Sequence, residues 1–251
     1  MKFEEMTAPK IRGLDQENTV FVQPIAALEQ HGPHMPTGTD RMICGAIAHA
    51  VEERNADSML LMPTYWLGAS AHHLRLGATS SADLQTYIET LCELAIPHLE
   101  NGFRRFIFLN GHGGNIDPMK VALRELQKDF PDVLLAGASY WSIAEEVVAN
   151  GLDGPHKFVG HACEFETSMI MHLRPELVVT EELRDAGELG AGNIEGLFLP
   201  RDMKHRTKEG CTGRPDLATA EKGAKMFAGI VDRVDIAVRA ILAEPLPEQA
   251  C

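Results

Sequence analysis

The chain has 251 residues, enough for one domain with a sizeable buried core (residues 1–251), and its 45% hydrophobic and 24% charged residues are ordinary for a soluble globular protein. A formal net charge of −13 argues against nucleic acid or an anionic membrane surface as partner. No apolar run approaches the ~18 residues of a membrane helix. The five cysteines (Cys44, Cys92, Cys163, Cys211, Cys251) form neither CxxC nor a disulfide framework. With the charged start Met1-Lys2-Phe3-Glu4-Glu5, the expected compartment is the cytoplasm.

In chain order, residues 1–18 read as a short helix and a loop, and residues 19–26 as a strand. Asp40 to Arg54 keeps the 3–4 spacing of one buried helical face through Ile43, Ile47, Ala50 and Val51. Residues 58–62 are a short strand ending at Pro63, and 64–81 a loop carrying His72, His73 and Arg75. His73 is a candidate pocket residue and His72 a surface one. Arg75 is either solvated or a partner for a substrate carboxylate or phosphate. Asp83 to Asn101 is an amphipathic helix that Pro97 bends or ends, with His98 on the surface. Residues 104–109 form a strand leading into Asn110-Gly111-His112-Gly113-Gly114-Asn115, and a helix runs from Ile116 to Phe130. Val133–Ala138 is the next strand. Trp141 follows at its carboxyl end, as pocket wall or core aromatic. Gly151 to Gly160 is a loop that could close over a site. Residues 174–217 hold glycines 187, 190, 192, 196, 210 and 213 with few periodic signals. They read as a surface excursion suited to subunit contact. The tail is a helix, with Met226, Ile230, Val234, Ala237 and Ile241 in register. Strands alternating with helices predict a mainly parallel sheet covered on both faces, a three-layer α/β/α sandwich.

Three clusters carry chemistry. The first is Glu29-Gln30-His31-Gly32-Pro33-His34-Met35-Pro36-Thr37-Gly38-Thr39-Asp40. In an extended segment Glu29 and His31 lie on one side, about 6.5 Å apart, and the glycines and prolines make a stiff loop that can return Asp40 to the same point. Mixed carboxylate and imidazole donors suit Zn, Mn or Fe rather than Ca. A polar loop hydrogen-bonded to its own backbone is the plain alternative, and Asp40 is also a natural N-cap. The second cluster places His112 on a glycine-rich loop after a strand, where α/β sheets bind ligands. Its spacing fits neither nucleotide-binding glycine motif. The third, His161-Ala162-Cys163-Glu164-Phe165-Glu166-Thr167-Ser168, offers Glu164 and Glu166 as helix-start carboxylates or as metal or proton-transfer groups.

Together these segments resemble the creatininase family. The match rests on Ala27-Leu28-Glu29-Gln30-His31-Gly32-Pro33-His34, Asp40, Asn110-Gly111-His112-Gly113-Gly114-Asn115 and Phe165-Glu166-Thr167-Ser168. Weaker support comes from His73 with Gly77-Ala78-Thr79-Ser80, from Ser139-Tyr140-Trp141, and from Gly210 to Gly213. The resemblance implies a creatininase-like fold, a two-metal site and hydrolysis of an amide or related C–N bond other than a peptide bond. It carries ligand roles onto Glu29, His31, Asp40 (shared by both ions) and His112. Creatininase has a glutamate ligand where this chain has Gly114, so either Glu166 supplies that oxygen or the second site is weak. A closing tryptophan falls at Lys157 and an aromatic at Gly113, departures that point away from creatinine itself, whereas Trp141 matches a substrate-facing tryptophan; the resemblance implies Trp141 and Gly113 as substrate contacts. The family often assembles as hexamers, so a homo-oligomer is expected.

The expected reaction is attack by an activated water on a small cyclic amide or formamide, with His161 protonating the leaving nitrogen and Glu164 or Glu166 orienting it. His34 would be a supporting group or a plain loop histidine. Competing readings are hydrolysis of a lactone or keto-sugar ring at the same site, a metal-binding relative without catalysis, and a Cys–His hydrolase centred on Cys163.

Overall fold

The computed structural model describes residues 1–187, 194 and 196–247. Part of the 174–217 excursion, including Gly190 and Gly192, and the tail cysteine Cys251 lie outside the described residues. Four strands, β1 (Val20–Ile25), β2 (Met59–Leu61), β3 (Arg105–Asn110) and β4 (Leu134–Ser139), form one parallel sheet in the order β2-β1-β3-β4. The helices in chain order are α1 (Ala8–Arg12), α2 (Thr39–Arg54), α3 (Leu84–Glu100), α4 (Ile116–Asp129), α5 (Tyr140–Ile143), α6 (Glu145–Gly151), α7 (Glu164–Leu173), α8 (Met203–Arg206) and α9 (Ala220–Ala243).

Side-chain alternation along the strands builds the three layers. Val20, Val22, Met59, Leu61, Ile107 and Leu109 face a core shared with α2, α7 and α9. Their neighbours Phe21, Leu60, Phe106 and Phe108 face the opposite core, with Tyr87, Leu91 and Ala95 of α3 and Met119 and Ala122 of α4. β1, β2 and β3 are buried on both faces, so they read as apolar runs rather than alternating ones, whereas β4 at the sheet's edge is half-buried. β1 leads through α2 to β2 on one side, whereas β3 and β4 lie on the other. The winding therefore reverses between β1 and β3, the crevice where open parallel sheets bind ligands. The loops that begin at Glu29 and at His112 leave the carboxyl ends of these two strands.

Two local expectations change. α3 does not stop at Pro97 but continues to Glu100, because a proline one turn from the end removes little of the ladder. His98 is half-buried rather than on the surface. Its ring stacks on Phe21 with centroids 4.2 Å apart. Among the described residues no helix is long and apolar enough to cross a membrane.

Candidate metal centre at the sheet's switch point

The loop after β1 holds Glu29 (1% exposed) and His31 (1%) side by side, and the start of α2 brings in Asp40 (3%). Its two carboxylate oxygens divide their attention. Oδ1 is 3.1 Å from His31 Nε2 and Oδ2 is 3.0 Å from His112 Nδ1. His112 Nδ1 is also 3.3 Å from Glu29 Oε1. Glu166, in the first turn of α7, places Oε1 3.9 Å from His31 Nε2, while Oε2 accepts the Ala162 N–H at 2.6 Å. Ala162 has φ 48°, a left-handed backbone unusual for alanine, and this turn points both its own N–H and the preceding His161 inward.

The outer hydrogen bonds determine which atoms face the centre. His31 Nδ1–H donates to the carbonyl of Glu29, two residues before it, at 3.0 Å, so Nε2 is the nitrogen turned to the centre. His112 Nε2 pairs with Ser70 Oγ at 3.1 Å, which turns Nδ1 inward. The loop itself is tied down by Asn110, whose amide meets His112 O (2.7 Å) and Ser139 Oγ (2.9 Å), and by Asn115, which bonds Ala26 O and the Ala69 N–H. Glu29 Oε2, His31 Nε2 and Asp40 Oδ2 are buried, and no well-aligned hydrogen bond from the described residues satisfies them, although His31 Nε2 and Asp40 Oδ2 lie within ion-pair distance of Asp40 Oδ1 and His112 Nδ1. Burying such atoms unsatisfied is costly unless something else meets them. Ligand atoms of Glu29, Asp40 and His112 lie within 4.8 Å of one another, as do those of His31, Asp40 and Glu166, and those of Glu29, His31 and His161. Carboxylate and imidazole lone pairs gathered in this way fit a divalent transition metal.

Charge coupling follows from this crowding. Burial disfavours a charged His31, yet Asp40 and Glu166 raise its pKa well above the ordinary value. His112 is likewise opposed by burial but lifted to about 10, mainly by Glu29 and Asp40. Burial would raise Asp40, but the two imidazoles hold it low. Burial raises Glu166.

The His161 ring is fixed by two contacts. Its Nε2–H donates to Gln30 O at 2.7 Å and its Nδ1 lies 3.5 Å from Glu29 Oε1. Burial, followed by the charges of His31 and His73, holds its pKa well below 6.5, so the free imidazole is neutral and its inward nitrogen is an acceptor. Glu164 turns away from the centre. It accepts the N–H groups of Asp153 and Gly154 at 2.9 Å and pairs with Lys222 at 2.6 Å, so orientation of His161 does not fall to it. His34 bonds Thr167 Oγ1 at 3.0 Å beneath the site, and burial, its largest cause, lowers its pKa to about 4. Cys163 is the residue before α7. Burial pushes its thiol to about 12, which removes the thiolate that a Cys–His reading needs.

A cleft of about 900 Å³ opens onto the centre. Its walls include Gly113, Trp141, His73 and His161, together with Phe158, Val159 and Gly160 of the glycine-punctuated loop and residues 198–203 and 206 of the excursion. Arg75 does not line it. It is exposed and pairs with His205 at 3.0 Å, while Arg201 and Arg206 supply guanidinium groups at the wall. His72 is half-buried rather than a surface residue, its ring parallel to His112 at 5.8 Å. At Gly114 a Cβ would lie 2.2 Å from Ala69 O and 2.9 Å from His72 Cε1, so the backbone and His72 fill the space that a side chain there would need.

Gln30 is the functional residue that sequence reasoning missed. Its Oε1 accepts the Gly32 N–H at 3.0 Å, and its Nε2 reaches Gly210 O at 3.2 Å and His73 Nδ1 at 2.9 Å. That amide orientation makes His73 Nδ1 an acceptor and leaves Nε2–H to face Glu29 Oε1 at 3.3 Å. Burial, then His72 and His112, lowers the His73 pKa to about 2, in keeping with a neutral ring. Gly210 (φ +80°) comes so close that a Cβ there would fall 2.0 Å from Gln30 Oε1. The only sequence signal is Gln30's position between two ligand candidates.

The parallel sheet, with a buried carboxylate–imidazole cluster at its switch point, defines the molecule as an α/β protein with a candidate metal centre. The chain belongs to the creatininase family, whose model, described as creatinine amidohydrolase, matches residues 4–238. It is 33% identical over 228 residues to the mycofactocin precursor peptide peptidase of Mycobacterium ulcerans (83% of this chain, 80% of the relative). It is 28% identical over 237 residues to the creatinine amidohydrolase of Pseudomonas putida (88% of each). Its likeness to 3-dehydro-scyllo-inosose hydrolase of Thermotoga maritima is 26% over 270 residues (96% and 83%). A mutant creatininase solved with creatine superposes at a TM-score of 0.81 with 26% identity, covering 97% of this chain and 99% of that one. Zinc and manganese forms of creatininase match with a TM-score of 0.80 each.

Proposed function

We propose that this creatininase-family hydrolase is a metal-dependent amidohydrolase that uses water to cleave an amide-type C–N bond. The observation that carries the reading is the set of buried polar atoms on Glu29, His31 and Asp40 that no well-aligned hydrogen bond satisfies. Glu29, Asp40 and His112 would hold one divalent ion; His31, Asp40 and Glu166 would hold a second, with zinc or manganese suiting these donors, and iron compatible. Bound there, such ions supply Lewis acidity and a more acidic water near neutral pH.

The chain's own residues do the rest. His161 Nδ1, neutral and facing inward, takes the proton of the attacking water and hands it to the departing nitrogen, so His161 starts as a base and ends as the acid. Gln30 O fixes that ring through Nε2–H. His73 orients Glu29, and Trp141 and Gly113 border the substrate.

A cleft of about 900 Å³ lies at the upper end of ligand clefts (about 300–1,000 Å³) and accepts more than one small ring. With relatives named as peptidases, this supports an amide within a larger molecule, peptide bonds included, ahead of a small cyclic amide or formamide. The relative named as an inosose hydrolase supports a second reading, opening of a keto-sugar ring or lactone at the same centre. The test is a panel of short peptides, cyclic amides, formamides and keto-sugars, with and without chelator. Chelator-sensitive turnover of an amide is expected. Turnover confined to keto-sugars would install the second reading, and activity indifferent to chelator, or none at all, would refute the metal-dependent reading. A homo-oligomer in the cytoplasm belongs to the same proposal; light scattering tests the assembly.

A further inference from the structure

Arg206, the last residue of α8, lines the cleft and stands close enough to His72 and His73 that its positive charge helps to lower both imidazoles. It is half-buried, and among the described residues no carboxylate comes within ion-pair distance of it. Other arginines of the same excursion are satisfied. Arg184 pairs with Glu182 and Glu209 at 2.9 and 2.8 Å, and Arg214 with Asp216 at 2.6 Å. The neighbouring Asp202 also lines the cleft, but its Oδ1 is engaged by the Lys204 N–H at 2.8 Å at the start of α8. A guanidinium drawn partly out of water, held at a cleft wall and left unpaired, gains most from an anion that enters with the ligand. Its planar fork of donors matches a carboxylate in two parallel hydrogen bonds.

We propose that Arg206 is a carboxylate-recognition subsite, and that the amide hydrolysed here carries a free carboxylate. This rests on the amidohydrolase reading above, in which the cluster's own carboxylates are balanced by cations and do not repel a substrate anion. Both the C terminus of a peptide and a small N-acylated amino acid carry that chemistry.

The experiment compares metal-loaded wild type and Arg206→Gln, matched for metal content and Tm, on two substrate pairs. One pair is a short peptide with a free C terminus and its C-terminal amide; the other is an N-acyl amino acid and its amide. The wild type should favour the acid by about tenfold or more in kcat/KM in at least one pair, and that pair identifies the source. Arg206→Gln should bring the ratio to within about twofold by losing activity on the acid alone. Acid and amide cleaved equally by the wild type, or a preference that survives Arg206→Gln, would overturn the subsite. If Arg206→Gln lowers Tm, Arg206→Lys, which loses the fork, replaces it, and an unchanged ratio is again fatal. If no substrate turns over, the amidohydrolase reading fails separately, and calorimetry reads the subsite. The wild type should then bind the acids at least about tenfold tighter than the amides, and the variant should bind them alike. Equal affinities in the wild type would dismiss the proposal.

Discussion

Replacing Gln30 by alanine removes the partner of three groups: the Gly32 N–H (3.0 Å), His73 Nδ1 (2.9 Å) and Gly210 O (3.2 Å). At about 1 kcal/mol for each net hydrogen bond, the fold loses about 3 kcal/mol. For a chain of this size that is a fall in Tm of about 6–12 °C. The functional loss is separate. His73 is no longer held with Nε2–H towards Glu29, and removing a group that orients a ligand costs about 10–100-fold in activity or metal affinity. Gln30→Glu is the sharper perturbation, since it keeps the shape and the acceptor for Gly32. It converts the donor facing His73 and Gly210 into an acceptor, a mismatch repaired only by a proton on His73 Nδ1. The new carboxylate therefore raises the His73 pKa from about 2, and kcat/KM should acquire a pH dependence beyond that of the wild type. Thermal melts, metal analysis and pH profiles of both variants make the assay. If Gln30→Ala keeps Tm within about 1 °C and kcat/KM within about twofold, the amide is not the hub described here.

The other expectations concern charge and chemistry around the centre. Without metal, Glu29 and Asp40 outweigh burial and lift His112 to about 10, so it is protonated at pH 8; Asp40 and Glu166 shift His31 in the same direction. The contribution of His112 to the stability of the metal-free fold is therefore full below about pH 6.5 and is lost as pH rises through about 10. Coordination requires His112 to deprotonate, so calorimetry at pH 8 in buffers of differing ionisation enthalpy should show about one proton or more released on metal binding; zero release would contradict the assignment. Glu164→Gln should cost about 1–3 kcal/mol by weakening the bonds to Lys222, Asp153 and Gly154, yet leave metal content unchanged; lost metal would place Glu164 at the centre. Cys163→Ala should retain turnover, because burial keeps the thiol protonated; abolished turnover with intact metal would restore the nucleophile reading.

Much of the fold was legible because its signals are local. The apolar runs of β1 and β3 and the periodicity of α2, α3 and α9 announce themselves within a few turns of chain. The cluster was legible for the same reason. Glu29, His31 and Asp40 lie within a dozen residues, and His112 sits on a glycine-rich loop after a strand. Glu164 and Glu166 were indistinguishable in sequence, because both are first-turn carboxylates. Their roles separate only where Lys222, on α9, claims one and Ala162 with His31 meets the other. Gln30, His72 and Arg206 were illegible in a deeper sense. Gln30 acts on Gly210, 180 residues away, and Arg206 lies in an excursion with little periodicity that reaches the cleft only through tertiary packing. Arg75 attracted attention as the cation nearest in sequence to His73, but its backbone carries it outward to His205.

The central claim is that Asp40 sits between two groups of donors that grip separate divalent ions. Diffraction from metal-loaded crystals, recorded on either side of the zinc and manganese absorption edges, tests it most directly. The account predicts two anomalous peaks, one among Glu29, Asp40 and His112 and the other among His31, Asp40 and Glu166. A map with no peak at Asp40, or with ions held only elsewhere on the chain, would contradict it.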